Sequence, residues 1–114
     1  MFVAYNCCVR WTVLLSDEVS NWYLGLSPAG KAATDQAFKR LAAAGNMLRM
    51  PLSKALGDGL FELRFTCEGV ARRITYIFDS ERQAVTLTTF HRQRNNERRE
   101  ILRARRAQRQ REGK

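Results

Sequence analysis

Three stretches of alternating residues in the second half of the chain constrain its fold most. Residues 59–67, 70–79 and 84–90 carry apolar or β-branched side chains with the two-residue period of a strand. Turns of two and four residues separate them, and connections this short join neighbouring antiparallel strands. The pattern therefore predicts a three-stranded antiparallel meander.

The first half of the chain predicts one strand followed by two helices. Residues 9–16 alternate as a half-buried strand does. Ser16 can cap a short helix. The pair Ser27-Pro28 then places a capping hydroxyl before a proline at the first position of a longer helix, which ends at Gly45. Two consecutive helices with so short a break predict a helical hairpin.

The remaining segments complete an α+β plan. Residues 45–58 lack a regular period, so they are expected to form a loop. From about residue 95 the chain is rich in arginine and is expected to be helical. The order of elements predicts a small antiparallel sheet, with the N-terminal helix pair on one face and a basic C-terminal helix. A length of 114 residues suits a single domain, 1–114, with a basic tail at about 95–114.

Positive charge is concentrated at the C-terminal end of the chain. The formal net charge is +9, and residues 92–114 contain ten Lys or Arg and three Glu, a net +7. Such an excess attracts nucleic acid, an acidic protein or a membrane surface. No apolar run approaches the ~20 residues that span a bilayer. We therefore expect a cytoplasmic protein with no membrane partner.

The cysteines predict no covalent or metal framework. There are three, Cys7, Cys8 and Cys67, and none forms a CxxC pair. An odd number without that spacing argues against a disulfide network and against a structural zinc site. We expect them to be small buried side chains in a reducing compartment.

The two faces of the predicted sheet differ in character. One face is apolar and is expected to lie beneath the two N-terminal helices; it carries Phe61, Leu63, Ile74, Tyr76 and Phe78. The opposite face carries Glu62, Arg64, Arg73 and Thr75 and is expected to be open. Cations on an open sheet face can bind phosphate groups. Glu62 has two alternative roles on this face. It can form ordinary ion pairs with the two arginines, or it can act as the general base of a catalytic site.

Four segments resemble a known family. Residues 56–64 end in Leu60-Phe61-Glu62-Leu63-Arg64, which resembles the "GLYELR" segment of HigB-like toxins in the RelE/ParE superfamily. Three later segments follow in the family's order: Arg73-Ile74-Thr75-Tyr76, Phe90-His91-Arg92-Gln93 and Glu100-Ile101-Leu102-Arg103-Ala104. Together the four segments extend the resemblance over residues 50–107. The resemblance implies a RelE-like fold and an mRNA endoribonuclease that cuts translated messages at the ribosome. It also implies a cognate antitoxin partner, no metal and no cofactor.

The resemblance also suggests roles for individual residues. Arg73 matches the strand arginine placed against the scissile phosphate, and Arg92 matches the first basic residue after the last strand. His91 would transfer a proton, because its ordinary pKa of ~6.5 suits that task near neutrality. The expected RNA-binding residues are Lys54, expected in a loop, Arg64, Arg72 and Arg94. Gln93 replaces the family's second basic residue, and the final helix lacks a tyrosine that some members carry.

Two questions stay open from the sequence. Strict alternation places His91 on the same face as Val85 and Leu87, toward the core, unless a bulge or the end of the strand reverses it. A structural histidine and a catalytic one are therefore both possible. The function has two alternatives as well: a ParE-like toxin that inhibits DNA gyrase by binding, and a nucleic-acid-binding accessory protein without toxicity.

Overall fold

The computed structural model describes residues 11–112, which form a five-stranded sheet and three α-helices. The strands are β1 (Thr12–Leu14), β2 (Ser53–Gly57), β3 (Leu60–Cys67), β4 (Val70–Asp79) and β5 (Gln83–His91). The helices are α1 (Asp17–Leu24), α2 (Pro28–Ala44) and α3 (Glu97–Glu112), with a single 3₁₀ turn at Gly45–Met47. The α+β class and the basic C-terminal helix are thus confirmed.

The sheet has the order β1-β5-β4-β3-β2. Strands β3, β4 and β5 form the expected antiparallel meander. Two expectations are wrong at the sheet's edges. Residues 53–57, expected to lie in a loop, form β2 and pair with β3, and β1 runs parallel to β5, so the sheet is mixed. Residues 9 and 10 of the predicted first strand lie outside the described part of the chain.

Both predicted helix caps are confirmed. The Val19 N–H donates to Ser16 Oγ at 3.3 Å, and the Gly30 N–H donates to Ser27 Oγ at 3.1 Å. Helix α2 ends at Gly45, whose φ of 54° favours glycine. A Cβ at this position would lie 2.0 Å from the Trp11 indole nitrogen, so the close packing of Trp11 also requires glycine there.

Helices α1 and α2 cover one face of the sheet, as expected. Val19 of α1 and Phe38 and Leu41 of α2 belong to the core cluster on this face. The predicted sheet residues complete it: Leu63, Ile74 and Tyr76 are buried, and Phe61 and Phe78 are half-buried. The start of α1 also protects the edge of β5 beyond the short β1. There the Ser16 N–H donates to Thr86 Oγ1 at 3.0 Å, and Ser16 Oγ donates to the Leu87 carbonyl at 2.9 Å.

Helix α3 packs on the opposite face, which the sequence predicts to be open. Ala104 of α3 forms a second core cluster with Leu60, Ile77, Val85 and Leu87. Of the residues expected on an open face, Glu62, Arg73 and Thr75 are buried and Arg64 is half-buried, so the expectation of an open face is wrong.

Two further expectations concern cysteine burial and membrane spans. Cys67 is buried, as expected, while Cys7 and Cys8 lie outside the described residues. Across residues 11–112, no helix combines the length and apolar character needed to cross a membrane.

Candidate functional site

A buried carboxylate surrounded by cations lies on the α3 side of the sheet. Glu62 in β3 is 0% exposed. Its Oε1 lies 3.6 Å from Arg73 Nε and 3.8 Å from Arg64 Nε. Residues two apart on a strand share a face, and Arg64 pairs directly with Arg73 across β3 and β4. The local strand geometry thus places both guanidinium groups beside one carboxylate.

The ion pair between Glu62 and Arg73 is buried but weakly hydrogen-bonded. Within residues 11–112, neither carboxylate oxygen of Glu62 has a hydrogen-bond partner, and neither does Arg73 Nε. Burial raises the pKa of Glu62, and the positive charge of Arg73 opposes that rise. Burial likewise lowers the pKa of Arg73. A buried ion pair with unsatisfied hydrogen-bonding capacity is costly to the fold, so it is a candidate functional feature.

The position of Arg73 corrects the expectation of an exposed strand arginine. Arg73 is 7% exposed, whereas the Arg64 side chain is 23% exposed and that of Arg92 is 50% exposed. Arg92 follows β5 and pairs with Glu97 in the first turn of α3 at 3.8 Å. Both of these charged groups are close enough to affect the pKa of Arg73. The chain around the start of α3 therefore lies near Arg73.

Lys54 joins this group from the neighbouring strand, so its predicted placement in a loop is wrong. It lies in β2, directly opposite Glu62 in the register of β2 and β3, and is exposed. Its charge acts on the Glu62 carboxylate. We refer to Lys54, Glu62, Arg64, Arg73 and Arg92 as the Glu62 cluster. It brings together one buried anion and four cations, most of them accessible from solvent.

His91 does not join the Glu62 cluster. Tyr76 of β4 pairs with Thr86 and Ile74 pairs with Thr89, so β5 contains one more residue than β4 in this interval. This β-bulge reverses the phase of β5. His91 consequently pairs with Arg72 and shares the face of Ile74, opposite to Arg73 and to Val85. The imidazole is half-buried on the side of the sheet that α1 and α2 cover.

Arg72 packs against α1 on the same face as His91. Its guanidinium carbon lies 4.8 Å from the centre of a Trp22 ring, in cation–π geometry. Arg72 Nη1 donates to Thr89 Oγ1 at 3.4 Å. Burial lowers the pKa of Arg72. The predicted RNA-binding residue Arg72 is therefore separated from Arg64 and Lys54 by the sheet.

An ion pair between α1 and α3 fixes the end of β5, and the sequence analysis did not identify it. Glu18 Oε2 accepts from the Thr89 N–H at 2.8 Å. Arg103 Nη1 donates to Glu18, and Arg103 Nη2 donates to the Thr89 carbonyl at 3.1 Å. The only local signal was an acidic residue in the first turn of α1, which is common near helix N-termini.

Asn96 holds the loop that carries Arg92 and Arg94, and it too was missed. Its Oδ1 accepts from the Gln93 N–H, and its Nδ2 donates to the His91 carbonyl, both at 2.9 Å. Asn96 is buried and directly precedes α3, where asparagine often caps a helix. Arg94 itself is exposed. It lines an open polar depression of about 610 Å³ together with Arg92, Gln93, Asn95, Glu97 and Arg98.

Comparison with known proteins gives one match. The family model for phage-derived protein Gp49-like (DUF891) matches residues 21–109, which include α2, the meander, residues 97–109 of α3 and the whole Glu62 cluster. Searches of the curated proteins and of the solved structures each found no match. Because the model covers most of the chain, this protein belongs to the Gp49-like family, a toxin-like family of the RelE/HigB type.

Proposed function

We propose that this protein is the toxin of a toxin–antitoxin pair and that it cleaves messenger RNA at the Glu62 cluster. The observation that carries the proposal is the convergence of Lys54, Arg64, Arg73 and Arg92 on one end of the sheet. Four cations beside two carboxylates, the buried Glu62 and the Glu97 that pairs with Arg92, leave a net positive charge that favours an anionic ligand. In a family of the RelE/HigB type, a phosphate group of RNA fits that requirement.

The cluster suits the charge that develops during RNA cleavage. RNA supplies its own nucleophile, the 2′-hydroxyl, which attacks the adjacent phosphorus while the 5′-oxygen departs. The phosphorane between these steps carries more negative charge than the substrate. Guanidinium groups that are already oriented stabilise such charge without reorganising. Glu62 would keep Arg73 oriented, and the more exposed Arg64 and Arg92 would meet the phosphate first.

Proton transfer is assigned to His91, the single histidine of the chain. It would take the proton of the 2′-hydroxyl or return one to the leaving oxygen. His91 lies on the face of the sheet opposite Arg73, so this role requires the RNA strand to pass around the end of β5, beside Arg92, to reach both faces. Glu62 is a less suitable proton carrier because it is fully buried.

Membership of this family also indicates a protein partner. A toxin-like family implies a cognate antitoxin. We propose that the antitoxin contributes an acidic or amphipathic segment that covers the Glu62 cluster or displaces α3. We further propose that the substrate is messenger RNA undergoing translation at the ribosome in the cytoplasm.

The proposal is tested by expressing the protein alone and together with its neighbouring gene. RNA 5′ ends are mapped shortly after induction, and purified protein is incubated with RNA alone and with translating ribosomes. We expect growth arrest and new 5′ ends within messages only when the protein is expressed alone. Growth arrest without any new RNA ends would contradict the nuclease activity.

One observation favours a second candidate, a non-enzymatic toxin that inhibits DNA gyrase. The β-bulge places His91 and Arg73 on opposite faces of the sheet, and an inhibitor that acts by binding needs no acid–base group. Inhibition of supercoiling by gyrase, with RNA left intact, would support this candidate and exclude the first.

A further inference from the structure

The arginines of α3 divide into two groups. Arg103, Arg105 and Arg111 have partners in the rest of the fold. Arg103 forms an ion pair with Glu18. Arg105 donates to the carbonyls of Leu56 and Gly57 at 2.6 and 2.7 Å. Arg111 Nη2 lies 4.0 Å from Asp79 Oδ2. These three residues fix α3 on the sheet, so their positive charge has a structural role.

The second group faces away from the sheet. Arg98, Arg99, Arg106 and Arg109 are exposed, and none forms an ion pair or hydrogen bond with another residue in the part of the chain that the structure describes. At 100° per residue, all four lie on the side of α3 opposite the buried Ala104. We call these four residues the outer arginines. Their charge has no structural explanation within the described part of the chain.

The length of α3 that the outer arginines occupy matches a short stretch of a nucleic-acid strand. Arg98 and Arg109 are eleven positions apart, which corresponds to about 16 Å along a helix. Over that length a stacked strand presents about four or five phosphates. Arg98 also lines the polar depression that contains Arg92 and Arg94. The outer arginines are therefore continuous with the Glu62 cluster through Arg92.

We propose that the outer arginines bind the sugar–phosphate backbone of the RNA strand whose scissile phosphate lies at the Glu62 cluster. This inference rests on the proposed function and extends it. The track runs from Arg92 through Arg94, Arg98 and Arg99 to Arg106 and Arg109. Contacts of this kind position the substrate and contribute affinity without reading its sequence.

The composition of this surface favours RNA over an acidic protein partner. Stable protein interfaces have a core depleted of charged residues and enriched in aromatic or other apolar side chains. The outer face of α3 offers one large apolar side chain, Leu102, which is 54% exposed. An arginine track with a single apolar side chain suits phosphate groups better than a protein interface, because each guanidinium can bind phosphate oxygens in a bidentate manner.

The test compares two double variants that remove the same charge. Arg106→Gln/Arg109→Gln removes two outer arginines. Lys31→Gln/Lys39→Gln removes two cations from α2, on the other side of the sheet. The probe is a 20-nucleotide RNA with 2′-O-methyl groups throughout, which binds but cannot be cleaved. Its affinity is measured by fluorescence anisotropy over a range of salt concentrations, and circular dichroism verifies that each variant is folded.

Two lost phosphate contacts should reduce the slope of log affinity against log salt by about 1.4 and weaken binding roughly 25-fold at about 0.1 M salt. The α2 control should bind within about twofold of the wild type. Binding by Arg106→Gln/Arg109→Gln that equals the control would overturn the proposal, and so would loss of antitoxin binding with RNA binding unchanged. If that variant is unfolded, Arg98→Gln/Arg106→Gln replaces it under the same criteria.

The inference and the proposed function can fail separately. If the wild-type protein cleaves RNA and the outer arginines do not affect RNA binding, the track is wrong and the nuclease stands. If the wild-type protein cleaves no RNA but the outer arginines still control its affinity for the probe, the track stands and the nuclease is wrong.

Discussion

Glu62 Oε1 lies 3.6 Å from Arg73 Nε, and both side chains are almost completely removed from solvent. Neither of these two atoms has a hydrogen-bond partner within residues 11–112. Isolated charges are expensive to bury, and an imperfect pair recovers only part of the cost. The pair is therefore better explained as a means of holding Arg73 in place than as a source of stability.

Replacement of Arg73 should affect both activity and stability. Arg73→Ala should reduce RNA cleavage roughly 10²–10³-fold, the usual scale for the loss of one positioned charge donor. Arg73→Lys should restore little, since an ammonium group cannot reproduce bidentate contacts. Because Arg73 is buried, the alanine variant should also lose about 3 kcal/mol of unfolding free energy through the unpaired Glu62. Single-turnover cleavage and urea denaturation measure the two effects, and an unchanged cleavage rate in folded protein would contradict the role of Arg73.

The Glu62 carboxyl should make stability depend on pH. Burial raises its pKa in the folded protein above the value of about 4.3 in an unfolded chain. Between these two pKa values the folded state binds more protons than the unfolded state. The free energy of unfolding therefore falls as pH rises through that window.

Glu62→Gln isolates this contribution, because the amide has nearly the same shape and does not titrate. Relative to Glu62→Gln, the wild-type protein should lose stability from the acidic to the neutral end of the window. Urea denaturation at a series of pH values measures the difference. A difference between the two proteins that stays constant with pH would show that Glu62 does not titrate as described.

Replacement of His91 distinguishes a catalytic role of this residue from a structural one. If it carries a proton, His91→Ala should reduce cleavage about 10²-fold or more while the variant stays folded. If its role is structural, the variant should melt at a lower temperature and cleave normally when folded. Arg72→Gln is the matched control, because Arg72 pairs with His91 on the same face. A similar loss of activity and of melting temperature in both variants would favour a local structural effect.

The antitoxin should protect the Glu62 cluster. If an acidic or amphipathic segment covers it, Arg64→Glu should weaken the complex strongly, since a repulsive pair replaces an attractive one. Lys39→Glu, on the opposite side of the sheet, is the control with the same charge change. Co-purification and titration calorimetry measure the affinities, and equal affinities for the two variants would place the antitoxin elsewhere.

Much of the fold could be predicted because its signals are local. The caps at Ser16 and Ser27 and the alternation in β3 and β4 depend on neighbouring residues alone. Strand β2 was missed because Ser53–Gly57 lies at the edge of the sheet and has no clear alternation. The cover provided by α3 was also missed, since helical periodicity does not state which sheet face a helix meets.

The candidate site shows the same limit. The sequence predicts that Glu62, Arg64 and Arg73 share a face, because strand periodicity determines it. The extra residue of β5 is evident only from the pairing of β5 with β4. The sequence alone therefore could not show that His91 lies on the other face of the sheet from Arg73. The contacts of Glu18 with Thr89 and Arg103 join residues 71 and 85 positions apart, which no local pattern reveals.

The most direct test of the central claim is the RNA cleavage rate of the double variant Arg73→Met/Glu62→Gln. Replacing both members of a buried ion pair leaves no unpaired partner charge between them, which is the main cost of a single replacement, so this variant should retain the fold. We predict that it cleaves RNA at least about 10²-fold more slowly than the wild-type protein under the same conditions. A well-folded double variant that cleaves RNA at the wild-type rate would contradict the assignment of the Glu62 cluster as the nuclease site.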